Sequence, residues 1–239
     1  MNGSSRSIAI KKNIIASLFL KGISILVSLQ VVPLTINYIN PTRYGIWLTL
    51  SSIVAWLSYF DLGFAHGFRN RFAEAVAKGD MQLAREYVST TYVVLSLLFS
   101  SVFLIAIVVN HFVDWSAILN VDAAYSSELN IVFGILAFFF CLNIVASIFT
   151  TMLTANQKPA LASLIQTLGQ VFGFICIYIL TKTVPGNLDV LAFAFSGVPC
   201  FLLIIISIGM FLSGRYRHLS PSFHFVHFSL TKKIVGLGG

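Results

Sequence analysis

Residues 87–109, YVSTTYVVLSLLFSSVFLIAIVV, hold no charged side chain over a length that lets an α-helix cross a bilayer. Whether that run is a membrane span or a buried soluble helix depends on what the rest of the chain can cover. Of the 239 residues, 57% are hydrophobic and 10% are charged, and 22 are Phe. Mean hydropathy is +0.90. Soluble domains carry about 25% charged residues, so this chain has too few charges to face water on all sides. Lipid is the solvent that fits, because apolar side chains need no cover there.

Five more runs pass the same reading: residues 13–38, 44–65, 130–153, 161–180 and 190–213. The expected fold is an all-α polytopic membrane protein. Residues 1–12 form an amino-terminal segment, 13–213 a lobe of six transmembrane helices, and 214–239 a basic tail that would link to a second lobe. The first run is too long for a signal-peptide core, and no small-residue cleavage pattern follows it, so it reads as an uncleaved span. Pro33 and Pro199 fall inside apolar runs, where lipid-embedded helices tolerate them as kinks. Cys141, Cys176 and Cys200 also lie in apolar runs and give neither a disulfide framework nor a metal-site spacing.

The basic residues set the orientation. Arg6, Lys11, Lys12, Arg69, Arg71, Lys78, Arg85, Lys158, Arg215, Arg217, Lys232 and Lys233 fall on one side, twelve of the fifteen. The other side has Arg43 and Lys182 with Asp114, Asp122, Glu128 and Asp189, while Lys21 lies inside the first span. Positive residues favour the cytoplasmic loops, so both termini are expected to be cytoplasmic. The net charge of +7 is spread over short loops rather than one compact domain, which argues against nucleic acid. Residues 70–82 are expected to form an amphipathic helix on the inner surface, with Phe72, Ala73, Val76 and Ala77 on one stripe, touching anionic inner-leaflet lipids.

Charges within spans are costly and point to function. Lys21 and Asp61 both fall in the inner half of adjacent spans. They are expected to share a cavity and pair, unless Lys21 snorkels to the headgroups and Asp61 merely ends its helix. Gln166 and Gln170 share a helical face and either bond a neighbouring helix or line a polar path. Gly169 and Gly173 on that helix permit close packing. His66 at a span end is expected to be either an interfacial residue or a titrating group of the carrier. His224 and His227 lack a third ligand, so no metal site is expected. No phosphate-binding glycine loop, HExxH or GxSxG is present, so the chain does not read as an enzyme.

The stretch YGIWLTLSSIVAWLSYFDLGFAHGFRNRFAEAVAKGD, residues 44–80, followed by AREYVSTTY, resembles the amino-terminal region of Wzx-like polysaccharide flippases of the MATE/Wzx/MurJ superfamily. The likeness rests on Tyr44-Gly45, Asp61-Leu62-Gly63 and a basic loop ending in Gly79-Asp80. It implies a carrier in the bacterial inner membrane that moves undecaprenyl-diphosphate-linked oligosaccharide for O-antigen, capsule or exopolysaccharide synthesis. It also implies polysaccharide polymerase or assembly proteins as partners. By that resemblance Lys21 and Arg43 would contact the diphosphate, Asp61 would pair with a charge or couple an ion such as H+ or Na+, and Arg69 and Arg71 would form an inner gate. Such carriers have two lobes; this chain resembles one, so a second lobe or a second copy is expected. A drug or cation exporter of a sister branch and a non-transporting scaffold for a polysaccharide assembly complex are the alternative readings.

Overall fold

The computed structural model describes residues 3–61 and 63–235, with side chains over 13–59 and 63–235. Nine α-helices and no strand occur among the described residues. They are α1 (Gly3–Ile39), α2 (Pro41–Ala55), α3 (Phe64–Ala77), α4 (Met81–Phe112), α5 (Trp115–Leu119), α6 (Ser126–Ala155), α7 (Pro159–Thr183), α8 (Leu188–Leu212) and α9 (Ser229–Val235). Five of them, α1, α4, α6, α7 and α8, are each long and apolar enough to cross a membrane, and α2 with α3 passes as a bent pair. The protein is an all-α polytopic membrane protein.

The span expected over residues 44–65 is not one helix. α2 stops at Ala55, a 3-10 turn runs from Trp56 to Asp61, and α3 leaves at 49°. Gly63 has φ 78°, a left-handed geometry that an L side chain would resist. The break therefore runs from Trp56 to the turn at Gly63. α3 also differs from the expected surface helix over 70–82. It starts at Phe64 and ends before Gly79, whose φ of 77° turns the chain. Asp80 then caps α4 by accepting from the Leu83 N–H at 2.9 Å, so Gln82 belongs to α4. Phe64, Phe68, Phe72 and Ala75 are buried against α4, α6 and α9, so the apolar face of α3 meets protein rather than lipid headgroups.

The core has two layers. One gathers Phe68, Phe72, Phe99, Phe149, Met152 and Tyr216 near the α3 end. The other gathers Trp47, Leu50, Val132, Phe133, Leu191 and Ala192 near the opposite end. Gly169 and Gly173 do pack closely: a Cβ on Gly169 would sit 3.2 Å from Pro199 of α8. The described part of the tail beyond α8 is docked on the bundle. Leu219, Leu230 and Ile234 are buried, and the Lys158 ammonium donates to the Tyr216 hydroxyl at 2.9 Å.

Outside the spans, Asp114 caps α5. Its carboxylate accepts from the Ser116 hydroxyl at 2.6 Å and from the Ser116 and Ala117 N–H groups at 3.0 and 3.3 Å. The hydroxyl bond, then the backbone bonds, hold its carboxyl below the ordinary value of 3.8. A depressed folded-state pKa means that the cap's contribution is complete above the unfolded value and is lost as pH falls through the folded one. Hydrogen exchange at Ser116 and Ala117 should therefore be constant from neutrality to about pH 5 and accelerate beyond the intrinsic trend in more acid solution. Asp114→Asn should flatten that added pH dependence.

Candidate functional site

α1 lies along α7, and four hydrogen bonds define a parallel register. The Asn13 amide donates to the Gln157 carbonyl, the Thr167 hydroxyl to the Leu20 carbonyl, the Ser24 hydroxyl to Gln170 Oε1, and the Tyr38 hydroxyl to the Pro185 carbonyl. The neighbour of α1 is thus chiefly α7, with α2 touching it sparsely, in place of the expected pairing of the first two spans. Lys21 is exposed on α1, at the level of Gln166 and Thr167. The side chain of Asp61 lies outside the described residues, and so does the expected Lys21–Asp61 pair.

Lys21, Ser24 and Ser28 recur at i, i+3 and i+7 and so share one face of α1. Ser24 reaches Gln170, and Ser28 lines a cavity of about 350 Å³ enclosed by α1, α2, α7 and α8. Val27, Val31, Tyr44, Trp47 and Gln170 also line it, and no charged side chain does. Phe195 and Pro199 separate it from a second cavity of about 230 Å³, where Ser51 of α2, Asn143 of α6 and Ser196 of α8 supply polar groups. Trp47 Nε1 and Ser51 Oγ, one turn apart, are buried with no hydrogen-bond partner among the described residues. The sequence reading had not singled out these two; their spacing on α2 was its only local sign.

Arg43 sits at the far end, in the first turn of α2. Asn40 caps that helix, its side chain accepting from the Arg43 N–H at 3.0 Å. The Arg43 guanidinium donates to Glu128 Oε2 at 3.3 Å and to the Gly186 carbonyl at 3.1 Å, and lies 5.6 Å from the Tyr125 ring centroid. Asp189 is close enough to interact electrostatically with both Arg43 and Glu128. Eighteen residues separate Lys21 from Ile39, about 27 Å along a helix. The two cations expected to grip one diphosphate therefore stand at different depths. Glu128, which sequence reasoning used only for orientation, holds Arg43 in place together with the Gly186 carbonyl.

His66 and Arg69 are exposed on α3. Arg71 donates to Glu74 at 3.0 Å and to the Lys233 carbonyl of α9 at 3.3 Å. Being two residues apart on a helix, Arg69 and Arg71 point to different sides. Gln166 is exposed, and Gln170 bonds α1, one of the two uses foreseen for it, and also lines the larger, mainly apolar cavity. Among the described residues no three His, Cys, Asp or Glu side chains come together as a metal-binding group. No family model, curated relative or solved structure matches the chain.

Proposed function

We propose that the protein is one lobe of an inner-membrane carrier for a lipid-linked oligosaccharide bearing a diphosphate, and that α1 is the helix it turns toward that cargo. The observation that carries this reading is the polar stripe of Lys21, Ser24 and Ser28, which leads along the α1–α7 seam to the cavity at Gln170. A lysine held in a span is costly unless it serves a polar path, and a diphosphate is the partner that would offset that cost. Ser24, Ser28 and Gln170 offer hydrogen bonds of the kind a sugar uses, beside apolar walls suited to a polyprenyl chain. Arg43, tied to Glu128, serves the carrier as a strut at the far end, and the α2–α3 break provides a hinge.

The test is complementation of a strain deleted for the gene, reading undecaprenyl-linked repeat units retained on the inner face. Lys21→Ala should reduce export about tenfold or more, and Lys21→Arg should keep most of it. Lys21 is exposed, so neither change should alter thermal stability. Normal surface polysaccharide in the deletion strain would rule the reading out. Loss of assembly-protein association with intact export by the Lys21→Ala chain would favour a scaffold.

A further inference from the structure

A cleft of about 430 Å³ lies between α4 and the docked tail and shares no lining residue with the cavity at Gln170. Ser89, Val93 and Leu97 of α4 form one wall, and Pro221, Ser222 and Phe223 of the tail the other. The tail is held against α4 by backbone contacts. The Ser222 N–H donates to the Ser89 hydroxyl at 3.1 Å, the His227 N–H to the Thr90 hydroxyl at 3.0 Å, and Arg85 Nε to the Ser220 carbonyl at 2.9 Å. The cleft is therefore a built feature of the fold.

Its chemistry divides along its length. Leu97 is 59% exposed on the hydrocarbon-facing side of α4, so an acyl chain can enter without leaving an apolar medium. Phe223 of the tail wall is 88% exposed, an apolar ring open to a chain that enters the cleft. Just before the cleft residues come Arg215 and Arg217, both exposed and neither in an ion pair among the described residues. No acidic residue follows Asp189 in the chain. Glu86, the acidic group of α4 nearest this region, faces His227 at 3.8 Å. The turn Arg217–Leu219 packs against α4 and α8, so the tail brings two arginines free of ion pairs onto the helix that forms the apolar slot. That combination suits a lipid with a net negative headgroup better than a zwitterionic one.

We propose that this cleft is a specific seat for one anionic phospholipid of the adjacent leaflet, with an acyl chain along α4 and its phosphate on Arg215 and Arg217. The site is independent of the transport reading and stands or falls without it. Native mass spectrometry of the purified full chain in mild detergent, titrated with phosphatidylglycerol or with phosphatidylcholine of the same acyl chains, tests it. Phosphatidylglycerol should be retained about tenfold more strongly. Arg215→Ser combined with Arg217→Ser should abolish the preference, and Val93→Trp, which fills the slot, should reduce phosphatidylglycerol retention to the phosphatidylcholine level. Phe223→Ala should weaken retention about threefold. Its side chain is too exposed to support the fold, so it decides the matter if Val93→Trp does not fold. Equal retention of the two lipids overturns the proposal. So does a preference that the arginine variant loses but Val93→Trp or Phe223→Ala leaves intact, because that describes diffuse surface charge.

Discussion

Gly67→Ala should expel α9 from the bundle. A Cβ at Gly67 would stand 1.7 Å from the carbonyl oxygen of Ile234, a separation no relaxation of a side chain can cure because the obstacle is backbone. A glycine in the middle of a helix costs about 1 kcal/mol relative to alanine, so α3 taken alone would be steadier with the substitution. Its use here follows from the close crossing of α9. Leu230 and Ile234 are 7% and 0% exposed when docked. Burial of each contributes about 1.5–3 kcal/mol, so releasing the helix forfeits about 3–6 kcal/mol of local stability. Amide exchange over residues 229–235 should become fast, and trypsin should cut after Lys232 and Lys233 where it does not in the unmodified chain. Ile234→Ala, which removes packing without adding a clash, should give a milder version of the same result. Full protection of α9 in Gly67→Ala would show that this crossing is not as close as described.

Arg43→Ala should give the next largest effect, felt at the opposite end. The guanidinium joins the start of α2 to the start of α6 through Glu128 and to the loop before α8 through Gly186. Without it, Glu128 and Asp189 face each other with no counter-charge. Breaking a fully buried pair costs about 3–5 kcal/mol. The side chains of Arg43 and Glu128 are 28% and 20% exposed, so water screens part of that loss, and about 2 kcal/mol is expected. Thermal melts in detergent should show a drop of several degrees. Arg43→Lys should restore part of it, because an ammonium supplies the charge without the two-pronged geometry. Glu128→Gln in the Arg43→Ala background should recover stability, since it removes one of the two repelling charges. If Arg43→Ala abolished export while leaving the melt unchanged, Arg43 would be a cargo contact rather than a strut.

These two sites mark how far the residues alone could be read. The membrane-spanning helices were legible in the apolar runs, since the need to satisfy every backbone hydrogen bond within a segment in lipid is met locally. The break within span two had a local sign in Asp61-Leu62-Gly63, yet its angle and the burial of α3 did not, because the surface that covers α3 is assembled from α4, α6 and a tail helix more than 150 residues later. The same holds for the candidate site. Lys21 was visible as a charge in an apolar run, while its neighbourhood was not, because α7 rather than the adjacent span lies along α1. Arg43 was visible as an outer cation, while its ties to Glu128 and Gly186 span 85 and 143 residues.

From its sequence alone this protein had its solvent, the positions of five long apolar helices and the loops that collect positive charge. Those follow from transfer free energies that act residue by residue. Which helix lies beside which, where glycine allows backbones to cross, and which carboxylate restrains Arg43 were settled by the folded bundle. Such choices depend on matching shapes and on pairing polar groups far apart in the chain, and no window along the sequence contains both partners.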